Sequence, residues 1–339
     1  MTPPGRREGR LTLVRAVRIG ALLAGLAVAA WLVWRVGLET LVAQLSGLGW
    51  GLGLIMLPHV IVSVLDAAGW RYAFPGRLPA LGPLIAIRLA GEAVNGTTPT
   101  GSMGGDAVKV WLVGRVGAGV RLGESLVSVV VAKTTLLGAQ VAFLALGFVV
   151  AWQLIGIPRA VTVFLGVLTG LGVLAVGGFL WAQQHGLFQA ATRVLAALGA
   201  GSRTTGVTRR LEGRLRVYYR GRRRRVLASG ALHLLGWVAG AVEVWVALTL
   251  LGSPVAFTTA LVIEAGITGV RSASFLVPAS IGVQEGSVVA LFVALGLGAS
   301  LGLTFAIVRR IREALWVVAG YVCLAAWPGE RPAALPREA

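Results

Sequence analysis

The chain has 339 residues, of which 56% are hydrophobic and only 13% are charged, and its mean hydropathy is +0.82. A soluble domain carries about 25% charged residues, so the composition excludes that class and predicts a polytopic integral membrane protein. The net charge of +18 comes largely from arginines between Arg193 and Arg225, where Glu212 is the only acid. That clustering is typical of a cytoplasmic loop facing anionic lipid headgroups, so we expect membrane lipids, and no nucleic acid, as partners.

The sequence gives little support for a metal site, a disulfide or an enzymatic activity. The single cysteine, Cys323, excludes a disulfide framework and a cysteine metal site. His59 and His233 each lack a second ligand at helical spacing, so we expect no metal and no cofactor. The sequence contains neither a phosphate-binding GxxxxGK[ST] loop nor an HExxH motif. These observations predict a protein that is not an enzyme.

The first membrane half is predicted to cover residues 17–182, after a basic cytoplasmic tail at 1–16. About 20 apolar residues are needed to cross a bilayer, and four runs meet that length: 17–36, 48–69, 125–151 and 161–182. Residues 83–116 are also apolar, but a run of Gly, Thr, Ser and Pro divides them into two pieces that we expect to be about a dozen residues each. This segment is predicted to be a re-entrant hairpin that enters from the cytoplasmic side.

The second membrane half is predicted to cover 226–326, after a basic amphipathic segment at 183–225 that we expect on the cytoplasmic surface of the membrane. It has spans at 226–251 and 301–326, and a second interrupted hairpin at 257–297 that enters from the outside. A cytoplasmic tail, 327–339, follows. The expected fold is an all-α polytopic membrane bundle with six full spans and two interrupted hairpins; if each hairpin is a pair of short tilted helices, the count is eight to ten.

The two interruptions have a related layout. An interval of seven residues occurs twice in each of them, in Glu92–Pro99–Asp106 and in Arg271–Pro278–Glu285. Coincidence is one explanation. The other is an inverted repeat, since paired Gly/Pro interruptions in the two halves of a transporter mark a binding site near the middle of the membrane.

Charged residues of both signs lie within the apolar segments, where an unpaired charge is costly. If they converge, they neutralise one another and form a polar site for a lipid headgroup. The expected binding residues are Glu92, Asp106, Lys109, Arg271, Glu285, Arg309 and Arg312, with Pro99 and Pro278 setting the breaks and Lys133, Glu243, Glu264 and Glu313 as supporting charges. The alternative is that Glu243 and Glu264 pair with Arg271 or Lys133 only to fix helix packing.

Several motifs together resemble a known family. They are Glu92-x2-Asn95-x3-Pro99-x4-Gly104-Gly105-Asp106-x2-Lys109, then Glu243, then PASIGVQEG at 278–286, and RRIRE at 309–313 in the last span. This set resembles the flippase-like membrane domain of lysylphosphatidylglycerol synthases over nearly the whole chain. Within that group, IEAGITGVRSASFLVPASIGVQEG followed by RRIRE is most similar to the hopanoid-biosynthesis-associated branch.

The resemblance implies a protein of the bacterial inner membrane that moves an amphiphilic lipid between leaflets, and it adds Asn95 and Gln284 to the expected binding residues. It also implies no lysine transfer, since the chain stops thirteen residues after Ala326, before a soluble aminoacyl-transferring domain. We expect a translocator of a hopanoid, a phospholipid or a polyprenyl-linked lipid. Two alternatives stay open: a membrane-embedded headgroup transferase with Glu92 or Glu285 as base, and a scaffold for lipid-synthesis enzymes. The oligomeric state is also open.

Overall fold

A computed structural model describes residues 49–98, 103–114, 120–153, 157–184, 203–273 and 283–326. These ranges contain helices and no strands, which confirms the all-α prediction. In chain order the helices are α1 (Gly51–Tyr72), α2 (Leu81–Thr97), α3 (Gly104–Val113), α4 (Leu122–Gln153), α5 (Arg159–Gln184), α6 (Arg203–Gly221), α7 (Arg223–Leu250), α8 (Phe257–Ala273), α9 (Val283–Ala294) and α10 (Ala299–Ala325).

Four of these helices, α1, α4, α5 and α7, are long and apolar enough to cross a membrane. They correspond to the predicted spans at 48–69, 125–151, 161–182 and 226–251. The helix α10 has 27 residues, or about 40 Å at 1.5 Å per residue, so it has the length of a span although charges interrupt its apolar character. The predicted span at 17–36 and the tails at 1–16 and 327–339 lie outside the described residues.

Both predicted interruptions separate two helices. The first pair is α2, which ends at Thr97, and α3, which begins at Gly104. In the second pair, α8 ends at Ala273 and α9 begins at Val283. The leading helices α2 and α8 have 17 residues each, so the expectation of about a dozen residues per piece, made for 83–116, is wrong for α2. In each leading helix, the helical spacing of apolar residues continues beyond the point at which the polar residues suggest that the helix ends. Pro99 and Pro278 lie outside the described residues.

Helices α1 and α7 form the central pair and run antiparallel, because Asp66 contacts His233 whereas His59 contacts Glu243. A Cβ at Gly69 would lie 2.8 Å from the His233 ring, and one at Gly236 would lie 3.0 Å from Asp66 Oδ1. The glycines therefore let polar side chains fit between two closely packed helices. Around this pair, α4, α8, α9 and α10 bury the main apolar core.

A second apolar core is formed by the end of α1 with the residues that follow it, and by α2, α3, the first part of α4 and α6. Leu215 and Tyr218 of α6 are almost fully buried there. The helix α6 covers the described part of the predicted amphipathic segment, and these buried side chains contact other helices. Phe74, just after α1, and Val127, near the start of α4, belong to the same cluster. Helical spacing alone does not reveal this tertiary contact. The arginines at 214, 216 and 220 remain exposed.

The helix α5 lies at the periphery of the bundle and exposes large apolar side chains along its length, including Phe164, Leu171 and Leu174. In a membrane protein such a surface faces the acyl chains.

Candidate functional site

The first polar network begins between α1 and α2. Asp66 lies 2.7 Å from Arg88, and Arg88 lies 2.5 Å from Glu92 one turn further along α2. On its other oxygen Asp66 contacts His233 Nδ1 at 2.8 Å. This carboxylate therefore joins α1, α2 and α7 in one chain of polar contacts.

The same network continues across the first interruption. Asp106, in the first turn of α3, contacts Lys109 at 3.1 Å and Lys133 of α4 at 3.3 Å. Lys109 is also close enough to Asp66 for a direct electrostatic interaction. Four predicted residues, Glu92, Asp106, Lys109 and Lys133, are thus brought together.

Close backbone contact between α2 and α3 holds this arrangement. The amide N of Gly105 donates a 2.7 Å hydrogen bond to Asn95 Oδ1. A Cβ on Gly105 would overlap the carbonyl oxygen of Gly91, and one on Gly91 would lie 2.7 Å from Lys109 Cε. Glycine is required at both positions by space rather than by backbone conformation. Asn95 occupies the Gly105 donor, so that amide does not face a ligand as a helix N-terminus otherwise would.

The second polar network is organised by α10. Arg309 donates hydrogen bonds to both carboxylate oxygens of Glu264 on α8, at 2.6 Å and 3.0 Å. Arg312 donates to Glu243 on α7. All four side chains are buried. The bidentate geometry compensates Arg309 for the loss of water, as a buried charge requires.

Glu313 is the most highly connected acid of this network. It contacts Arg271 of α8 at 3.5 Å, Arg310 at 2.9 Å and Arg312 at 3.7 Å, and it accepts a 3.2 Å hydrogen bond from Gln284 Nε2. Arg310 in turn contacts Glu285 at the start of α9. The two sides of the second interruption, Arg271 on α8 and Gln284 with Glu285 on α9, are therefore joined through α10.

His59 lies where the two networks approach each other. Its Nδ1 is 3.2 Å from Glu243 Oε2 and 3.2 Å from Arg312 Nη1. Glu92 of the first network is close enough to act on the same ring electrostatically. The indole of Trp316 packs edge-on against the ring, with the ring centroids 4.8 Å apart.

Counted over the part of the chain that the structure describes, each network is balanced in formal charge. The first has three basic residues and three acids, Arg88, Lys109 and Lys133 with Asp66, Glu92 and Asp106. The second has four of each, Arg271, Arg309, Arg310 and Arg312 with Glu243, Glu264, Glu285 and Glu313. Opposite charges offset the cost of placing ions in an apolar bundle. Within the described residues, the buried nitrogens Arg88 Nη1, Arg309 Nε and Arg312 Nε have no hydrogen-bond acceptor.

Two details of the sequence interpretation need correction. Glu264 pairs with Arg309, and Glu243 pairs with Arg312 and His59, so neither pairs with Arg271 or Lys133. Glu264 and Arg271 are seven residues apart on α8, whereas side chains on one helix pair at a spacing of three or four residues. Lys133 is held by Asp106 instead.

Sequence reasoning counted Asp66, Arg88 and Arg310 among the charges inside apolar segments without naming them as binding residues, and it gave no site role to His59 or His233. One signal was present. His59, Ser63 and Asp66 recur at helical spacing on one face of an otherwise apolar span, and Ser63 Oγ accepts a 3.1 Å hydrogen bond from Trp316 Nε1. A polar stripe of this kind indicates a helix face turned to other polar side chains.

Comparison with protein families finds one that covers most of the chain. Residues 19–320 match the lysylphosphatidylglycerol synthase TM region. The chain belongs to this family. Comparison with curated proteins and with solved structures finds no match. As a member of the lysylphosphatidylglycerol synthase TM region family, and with four helices of spanning length, the chain is an integral membrane protein with a lipid-related function. The matched range takes in both polar networks and both interruptions.

Proposed function

We propose that this protein is a lipid translocator and not an enzyme. The observation that carries the proposal is the pair of charge-balanced networks beside two interrupted helix pairs in an apolar bundle. An uncompensated charge at the centre of a bilayer costs about 3 kcal/mol or more, so a headgroup crosses only where polar partners replace its water. The networks supply such partners, while the acyl or isoprenoid tail stays in the bilayer.

Three side chains are suited to first contact with a headgroup. Arg271 exposes 56% of its side chain, Glu92 38% and Lys133 37%, although each takes part in an ion pair. The 3.5 Å contact between Arg271 and Glu313 is longer than the 2.6 Å contact between Arg309 and Glu264. A phosphate can therefore compete with Glu313 for Arg271, since arginine binds phosphate in a bidentate manner.

The remaining predictions belong to the same proposal. The two interrupted pairs, α2–α3 and α8–α9, form an inverted repeat that enters the inner membrane of a bacterium from opposite sides, with both chain termini in the cytoplasm. The exposed arginines of α6 bind anionic headgroups of the cytoplasmic leaflet. Hopanoids, phospholipids and polyprenyl-linked lipids are the substrate classes to test, and the hopanoid class follows from the motif at residues 263–286.

Lipid movement in proteoliposomes tests the function directly. The full chain is reconstituted with fluorescent analogues of phosphatidylglycerol, phosphatidylethanolamine and a hopanoid, and dithionite reports which molecules reach the outer leaflet. We expect faster exchange than in protein-free vesicles for at least one class. Rates equal to those of protein-free vesicles for all classes, with and without imposed proton and potential gradients, would overturn the proposal.

A further inference from the structure

A single nitrogen of His59 lies between a donor and an acceptor from different helices. Nδ1 is 3.2 Å from Arg312 Nη1 on α10 and 3.2 Å from Glu243 Oε2 on α7. A guanidinium can only donate hydrogen bonds, and an ionised carboxylate can only accept them. Nδ1 therefore satisfies one neighbour at a time, and its proton decides which.

The two protonation states hold different helices together. The neutral ring with its hydrogen on Nε2 accepts from Arg312 through the Nδ1 lone pair, which joins α1 to α10. When a proton from water adds to that lone pair, the ring becomes an imidazolium whose Nδ1–H donates to Glu243. The same N–H then lies against the Arg312 guanidinium, which is also a donor and also positively charged, so the two groups repel each other. Proton binding thus strengthens the α1–α7 contact and weakens the α1–α10 contact.

The surroundings of His59 make this change consequential. Among the described residues, the charged groups that act on its ring are Glu243 from α7, Arg312 from α10 and Glu92 from α2. The second network is balanced four against four without the ring, so a proton adds one net positive charge. The His59 side chain is 20% exposed, against 3% for His233, so it is the more accessible of the two rings.

Helix α10 connects this ring to the second interruption. Arg309 of α10 holds Glu264 on α8, and Arg310 holds Glu285 on α9. We propose that His59 is a proton-binding site that weakens the contact between α10 and α1, in which the Trp316–Ser63 hydrogen bond remains, and thereby couples proton binding to movement of the α8–α9 pair. If the protein translocates lipid, as proposed above, the proton is its coupling ion.

The change in helix contacts is measurable without any lipid substrate. A spin label on the native Cys323 of α10 and a second on Leu57→Cys of α1, whose side chain is exposed, report the distance between the helices in nanodiscs. Between about pH 8 and about pH 5.5, a range that brackets histidine titration, we expect the α1–α10 distance distribution to shift. His59→Gln should abolish the shift, because glutamine accepts from Arg312 and donates to Glu243 at once but takes no proton. His233→Gln should keep it.

Nitrogen NMR of labelled histidine in the labelled pair without further substitution supplies a second readout, which does not depend on how a variant folds. The His59 resonance, assigned by its loss in His59→Gln, should titrate within this pH range and change together with the distance. A distance that does not respond to pH, or one that responds equally in His59→Gln, overturns the proposal, as does a His59 ring that keeps one protonation state throughout.

The lipid assay separates this proposal from the proposed function. Fluorescent phosphatidylglycerol in proteoliposomes should move faster under an inward proton gradient in wild type, and the gradient should have no effect on His59→Gln. If no probe moves but the His59-dependent distance change persists, the translocator proposal fails and the proton site stands. If probes move at rates independent of pH and the distance stays fixed, the proton site fails and the translocator proposal stands.

Discussion

Arg309 on α10 and Glu264 on α8 form a bidentate ion pair in which both side chains are buried, with Nη1 2.6 Å from Oε2 and Nη2 3.0 Å from Oε1. The pair ties the last span to the leading helix of the second interruption. A Cβ at Gly240 of α7 would lie 3.2 Å from Glu264 Oε1, so a third helix also closes around this carboxylate.

The first prediction concerns this pair. Glu264→Gln should lower the free energy of unfolding by about 3–5 kcal/mol, because Arg309 is then buried without its counterion. The double variant Glu264→Leu with Arg309→Met should recover much of the loss, since no uncompensated charge remains. Thermal unfolding in detergent, followed by tryptophan fluorescence, measures both. A double variant less stable than Glu264→Gln would contradict this account.

The second prediction concerns the crossing of α2 and α3. Gly105→Ala should destabilise the protein by about 1–3 kcal/mol or more, because its new methyl group meets the Gly91 carbonyl oxygen and the Asn95 side chain. Gly286→Ala, near the start of α9, is the matched control, since a Cβ there has no neighbour within 4 Å in the described structure. The two variants are compared by thermal unfolding. Equal melting temperatures would show that the close approach is not required.

The third prediction concerns alkaline pH and the second apolar core, to which α6 contributes Tyr218. Burial raises the pKa of Tyr218 to about 12, above the ordinary value of about 10, and its hydroxyl donates to the Tyr72 carbonyl oxygen. The folded protein therefore holds this proton more tightly than the unfolded chain. The resulting stability is fully present below about pH 10 and is lost as the pH rises toward about 12.

Tyr218→Phe should flatten the decline in stability over that interval, because phenylalanine has no proton to lose. Chemical unfolding at a series of pH values measures the slope, and the ultraviolet absorbance of tyrosinate follows the titration. A variant whose stability declines as steeply as that of wild type would assign the effect to another group.

The fourth prediction concerns first contact with lipid. Arg271→Gln should slow translocation of an anionic lipid probe about tenfold, the factor that corresponds to one lost hydrogen bond to a charged group. Its effect on stability should be small, because the side chain is 56% exposed. Arg159→Gln, an exposed arginine at the start of α5, is the control for a change in net charge. Equal slowing by both variants would indicate a general surface effect.

Helix positions were predictable because each span needs its own run of apolar residues. The runs at 125–151 and 226–251 appear as α4 and α7 with boundaries shifted by one to three residues. The interruptions were predictable for the same reason, since Gly104 and Gly105 follow a stretch whose composition cannot face lipid. Sequence also identified most of the charged residues that the two networks contain.

The sequence by itself determined that this chain is a helical membrane protein with two interrupted segments and charges of both signs inside it, because hydropathy and chain length act locally. Only the tertiary structure decided which charge meets which. Glu264 meets Arg309 and Glu243 meets Arg312 across 45 and 69 residues of sequence, and His59 reaches Arg312 across 253. Those pairings depend on how α1, α7, α8 and α10 pack side by side, and no local pattern along the chain encodes the neighbours that packing supplies.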